Sequence, residues 1–136
     1  MAVSALSQST SIHRQPGANR DEFDRVWPWL KAAIAHGGDT HRKRHLRERI
    51  ADGRAQLWTW PDAAAVTELI TYDTGMRDCR WWLAGGNMKT LINGQAEIEA
   101  WARRQGCHRV TITGRKGWER VLPEYKPRLT VLTKEL

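Results

Sequence analysis

The chain has 136 residues, 40% of them hydrophobic and 27% charged, enough for one domain with a real core and too few for two. Its formal net charge of +7 permits contact with nucleic acid or acidic protein surfaces and speaks to association rather than to fold. No apolar run approaches a membrane span, and the first residues lack the hydrophobic stretch of a signal peptide.

Residues 1–20 are rich in Ser, Thr and Gln, with Pro16-Gly17 near the end, and are expected to form a flexible N-terminal tail. The domain is expected over 21–136. From Asp21 the pattern turns helical: Phe23, Val26, Trp27, Leu30 and Ile34 make one apolar stripe. Asp21 is placed to cap the start and His36-Gly37-Gly38 to stop it, while Pro28 predicts a kink or a later start. A second helix is expected from Thr40, as N-cap, to Asp52, closed by Gly53. Its apolar side is only Leu46 and Ile50, and the rest is basic. The stretch His41-Arg42-Lys43-Arg44-His45-Leu46-Arg47-Glu48-Arg49 concentrates the positive charge.

Three strands are expected at 55–60, 63–72 and 77–84. Pro61-Asp62 and Asp73-Thr74-Gly75 supply the turns of an antiparallel meander. Gly85-Gly86-Asn87 breaks the pattern before a long helix with Met88, Leu91, Ile92, Ile98, Trp101 and Ala102 on one side, ended by Gly106. Then come a strand at 108–113, a helical turn at 118–122, Pro123, and a last strand near 128–134.

Eight tryptophans against one phenylalanine place bulky, amphipathic rings at the core and its rim, or at an interface. The two cysteines, Cys79 and Cys107, have no CxxC or Cys/His ligand spacing, so they read as reduced thiols and a structural metal is not expected. Cys107 and His108 are adjacent on a strand and so face opposite ways.

The segments WLAGG (82–86), EIEAWARRQGC (97–107) and GRKGWERVLPEYK (114–126), in the order two helices, meander, long helix, strand–helix–strand, resemble the GNAT (acetyltransferase-like) fold from about Asp21 to Leu136. The likeness is to small GNAT-like proteins encoded among the structural and packaging genes of tailed phages and prophages. It implies an α/β (α+β) fold, a mixed, mostly antiparallel sheet flanked by helices. In catalytic relatives a Q/R-x-x-G-x-G/A loop opening the long helix holds the acyl-CoA pyrophosphate with its backbone N–H groups. The matching residues here are Gly85, Gly86, Asn87, Lys89 and Thr90. The full pattern is absent, and a glycine pair before a helix also reads as a plain turn.

Such enzymes often protonate the departing thiolate with a tyrosine, for which Tyr125 is the candidate, or else a packing residue at a strand end. Glu68, on the central strand, is the candidate base, or else a solvent-facing carboxylate. The resemblance implies a non-catalytic virion or morphogenesis component near the head–tail or portal region. Its partners would be other virion proteins, in the host cytoplasm or the particle. The alternative is an acetyl-CoA-dependent N-acetyltransferase. A third reading has Arg42, Lys43, Arg44, Arg47 and Arg49 contacting DNA, although the run has no interleaved aromatics and also reads as a solvated or partner-facing helix.

Overall fold

The computed structural model describes residues 14–17, 19–114 and 117–136. Residues 1–13 and 18 of the expected tail, and Arg115 and Lys116, lie outside the described residues. Within the same segment, Gly17 bridges Leu57 on the first strand. Arg14 pairs with Glu97 at 2.8 Å and lies 4.8 Å from the centre of the Trp60 ring.

Helix α1 spans Arg20–His36. Its cap is Asn19 and not Asp21: the Asn19 side chain accepts from the Asp21 and Glu22 N–H groups at 2.8 and 3.2 Å. Pro28 sits inside the helix without ending it, on its exposed side, away from the stripe of Phe23, Val26, Leu30 and Ile34 that the sheet buries. Helix α2 spans Lys43–Ala51, shorter than expected. Thr40 does not cap it, because its hydroxyl is held by His41 Nδ1 at 2.7 Å. Residue Arg42 takes the cap position, and its N–H donates to His45 Nδ1 at 2.9 Å.

Strands β1 (Gln56–Trp60), β2 (Ala63–Thr71) and β3 (Arg77–Gly86) form the antiparallel meander. Gly85 and Gly86 extend β3 rather than breaking it, since both close approaches there require a missing Cβ. A Cβ on Gly85 would sit 2.9 Å from the Trp29 Cβ. One on Gly86, at φ +100°, would sit 2.4 Å from the Asp62 carbonyl oxygen. Helix α3 (Met88–Arg104) crosses back, and β4 (Arg109–Ile112) pairs with β3 in parallel. Helix α4 is the single turn Trp118–Val121. The sheet order is β1-β2-β3-β4, the mixed, mostly antiparallel sheet flanked by helices that the sequence implies.

The last expected strand is not formed. Residues 128–134 run without regular structure, and Leu129, Val131 and Leu132 are 92%, 85% and 91% exposed. An extended segment becomes a strand only where a neighbour takes its N–H and C=O groups, and none among the described residues does.

Two cores lie on the two sheet faces. Helices α1 and α2 cover one with Leu30, Leu46, Leu57, Val66 and Leu83, and α3 covers the other with Trp58, Trp81, Leu91, Ile98 and Trp101. Three tryptophans (58, 81 and 101) are buried and the other five half-buried, so the rings serve core and rim. Gly94 is a core position that its neighbours explain: a Cβ would meet the Trp60 ring at 2.4 Å.

The β3–β4 pairing carries a buried ion pair. Asp78, 2% exposed, accepts from Arg109 at 2.6 and 2.9 Å and from the Tyr72 hydroxyl at 3.0 Å. The Arg109 guanidinium, aided by Tyr72, outweighs burial and holds the Asp78 carboxyl below its ordinary value. A depressed folded pKa adds stability above the unfolded carboxylate pKa, which is lost as pH falls through the folded value. Asp78→Asn is therefore expected to lower stability at pH 7 by about 3 kcal/mol, with the deficit shrinking on acidification. Urea unfolding of both proteins from neutral to acid pH checks this, and a pH-independent deficit would contradict it. Gly86→Ala, at positive φ and against a backbone oxygen, is expected to cost about 3 kcal/mol in the same assay; an unchanged midpoint would contradict the packing of this turn.

Candidate functional site

Two irregularities in β3 shape the site. The first is a bulge: Val66 pairs with Leu83 and Thr67 with Trp81, leaving Trp82 as an extra residue. Trp82 and Leu83 consequently both pack towards α1 and α2, while Trp81 packs towards α3. A bulge re-aims side chains in this way and recurs beside active sites. The second is the parting of β3 from β4. Their pairing ends at Trp81 with Ile112, and the Thr113 N–H still reaches the Trp81 carbonyl at 3.1 Å. From Leu83 to Gly86, β3 pairs with β2 alone among the described residues. Its free edge leads into the N-terminus of α3. At the parting, the Trp81 indole Nε1 is buried and has no hydrogen-bond partner among the described residues, a costly state for an N–H donor. Trp118 stands edge-on to this ring at 6.4 Å.

Gly85, Gly86, Asn87, Lys89 and Thr90 come together at the β3–α3 junction. Asn87 is the N-cap of α3 and accepts from the Thr90 N–H at 3.2 Å. The Asn87 N–H donates to the Asp62 carbonyl at 2.8 Å, and the Thr90 hydroxyl donates to Asp62 Oδ1 at 2.9 Å. Lys89 is exposed. The helix dipole favours an anion here, but the Asn87 amide already uses one donor and the Asp62 carboxylate stands close by.

Glu68 and Tyr125 are not brought together. Glu68 is ion-paired with Arg80, and Arg49 on α2 lies 3.8 Å away, so it belongs to the α1–α2 face. Tyr125 lies towards α3, where its hydroxyl donates to Glu99 at 2.6 Å. Burial, and then the Glu99 carboxylate, push this phenol far above its ordinary range.

Sequence reasoning missed His41. Its ring stands edge-on to Trp82 at 4.7 Å, beside the bulge. Burial lowers its pKa, and the Arg49 and His45 charges lower it further. The imidazole is thus neutral near pH 7, with Nδ1 engaged by Thr40. A histidine inside a basic run gives no sequence signal of this kind; only the approach of α2 to the β3 bulge does.

Charges in the basic run are largely committed within the chain. Lys43 and Arg47 meet Asp24 at 3.0 and 3.4 Å, and Arg49 meets Glu68. Lys43 and Arg49 also stand over the Trp27 and Trp82 rings, each at a distance close to 6 Å (5.8 and 5.9 Å). Arg42 and Arg44 are exposed. Among the described residues no helix is long and apolar enough to cross a membrane, and no cluster of His, Cys, Asp and Glu could hold a metal ion. Burial raises the Cys79 thiol to about 12, leaving it inert.

The sequence matches no family model, and no curated protein matches it significantly. Solved structures do match. A transcriptional regulator from Bacillus halodurans C-125 aligns with a TM-score of 0.64 at 14% identity, covering 90% of this chain and 97% of that one. A GCN5-related N-acetyltransferase from Ralstonia eutropha JMP134 aligns at 0.61 and 15% identity, covering 85% and 93%. A probable acetyltransferase aligns at 0.59 and 11%, covering 86% and 96%. At these identities the likeness is one of fold, and the chain has the GNAT-like fold.

Proposed function

We propose that the chain is an acetyl-CoA-dependent N-acetyltransferase acting on an amine. The observation that carries this reading is the parting of β3 from β4 after Trp81, which leaves the edge Trp82–Gly86 open and aimed at the N-terminus of α3. Acetyl-CoA supplies an activated acetyl group when bound. Gly85, Gly86, Asn87, Lys89 and Thr90 would hold its phosphates, and Trp81 Nε1, without a partner among the described residues, offers a hydrogen-bond donor at the parting. The residues fit such a group, with one opposing feature, the Asp62 carboxylate beside the helix N-terminus.

His41 is the better base on chemical grounds. Burial holds its pKa below the ordinary value, and with Nδ1–H donating to the Thr40 hydroxyl, Nε2 would be left to take a proton from the amine. Glu68 has one carboxylate oxygen on Arg80 and the other facing Arg49, so both are engaged within the chain. Tyr125 keeps its proton in the bond to Glu99 and is a weak acid. The solved neighbours favour this reading over a virion component. None of those described above is a virion protein, and the phage assignment rests on sequence resemblance alone.

Calorimetric titration with acetyl-CoA is expected to show micromolar binding. Asp62→Asn should tighten it about threefold to tenfold by removing a like charge beside the phosphates. No heat at millimolar acetyl-CoA with either protein would sink the reading. The His41 imidazole, followed by NMR, is expected to titrate below its ordinary 6.5; titration at or above that value would remove it as the base.

A further inference from the structure

The corner where α1 runs into α2 holds a cleft of about 600 Å³, a size that takes a small metabolite. Its walls carry three cations, Lys31, Arg42 and Lys43, and two imidazoles, His41 and His45, against one carboxylate, Asp39; Trp27 and Ile34 give it an apolar side. Lys43 is committed to Asp24. Lys31 and Arg42 are exposed, and no acidic group among the described residues lies within ion-pair distance of either. Folding therefore leaves two uncompensated cations at one concavity, while the other arginines on the inner side of α2 are neutralised.

This cleft is joined to the β3 bulge through one residue. His41 lines it and also stands edge-on to Trp82. An anion held by Lys31 and Arg42 would place the rest of its molecule beside His41. We infer that the cleft binds a small amine that carries a phosphate, with the phosphate on Lys31 and Arg42 and the amine towards His41. The inference rests on the transferase reading for the fate of the amine, and it names the class of acceptor.

Several observations favour a small anion over a nucleic-acid backbone. A backbone-tracking surface needs a continuous row of cations. Here Lys43, Arg47 and Arg49 are turned to Asp24 and Glu68, which breaks the row. What remains is concave and local. Arginine suits a phosphate because its planar fork gives two parallel donors, with lysine adding a point charge.

The test uses the full chain, with the imidazole signals of His41 and His45 read by NMR. O-Phosphoethanolamine is the probe, ethanolamine and inorganic phosphate are the controls, and acetyl-CoA binding is measured on the same preparations by calorimetry. Phosphoethanolamine is expected to shift both imidazoles, inorganic phosphate to do so more weakly, and ethanolamine not at all. The double variant Lys31→Glu/Arg42→Glu should weaken the phosphoethanolamine response about tenfold or more, with melting temperature and acetyl-CoA binding unchanged. No shift at about 10 mM phosphoethanolamine, a level that detects even millimolar affinity, would overturn the inference. So would an equal response in the double variant, or a short DNA duplex that binds through the same two residues and displaces the probe. Phosphoethanolamine binding lost in the variant, in a protein that does not bind acetyl-CoA, would keep the anion site and remove the transferase reading instead.

Discussion

The buried Asp78 carboxylate, held between Arg109 and the Tyr72 hydroxyl, is the contact on which the functional geometry depends. A meander can stop at three strands. Here a fourth is added in parallel, which takes a helical crossover and a fixed register. Asp78 is paired in register with Arg109, so the ion pair sits at the first rung of the parallel ladder. With that rung fixed, the ladder ends at Trp81 and Ile112, because β4 is only four residues long while β3 runs on to Gly86. The parting of the strands is thus a matter of unequal lengths counted from an anchored start. A slip of one residue would turn Arg109 to the opposite face and leave the Asp78 charge buried alone.

The second constraint is the allocation of charge on the α1–α2 face. Glu68 on β2 draws in Arg80 and Arg49, and Asp24 on α1 draws in Lys43 and Arg47. These pairs are half-exposed, so each adds little stability on its own. Their larger effect is to choose which cations remain for a ligand. The +7 net charge of the sequence therefore does not spread as a uniform coat, and at the cleft Lys31 and Arg42 stay without a carboxylate partner among the described residues. Burial, aided by the same crowding of cations, holds the His41 imidazole below its ordinary value. One arrangement thus produces both an anion site and a proton acceptor next to it.

Much of the architecture was legible because it rests on periodicity. The stripe of Phe23, Val26, Leu30 and Ile34 and the buried side of Leu91, Ile98, Trp101 and Ala102 follow from helical spacing alone, and Pro61-Asp62 and Asp73-Thr74-Gly75 mark their turns. What was not legible depends on contacts distant in sequence. Gly85 and Gly86 look like a break, yet they are strand residues that let Trp29 and the Pro61-Asp62 turn approach. Thr40 has the chemistry of a cap, but His41 captures its hydroxyl. Residues 128–134 alternate well enough to read as a strand, and pattern cannot report that no neighbour is there to pair with them. His41 went unseen for the same reason: its value lies in Trp82, distant in sequence, which the bulge turns towards it.

The sheet itself argues against the simplest transfer of family roles to this chain. A paired acid and base must reach one substrate, and Glu68 and Tyr125 are tied to helices on opposite sides of the sheet. Among the described residues β3 is hydrogen-bonded on both edges as far as Trp81, and beyond it one edge is open. A base at the α1–α2 side must therefore stand next to that opening, and of the titratable groups placed above, His41 does, through Trp82. The buried Trp81 N–H, without a partner among the described residues, offers the opening a hydrogen bond rather than a proton. A fold does not fix an activity. The chemistry available to this one follows from what lines the gap between two strands of unequal length.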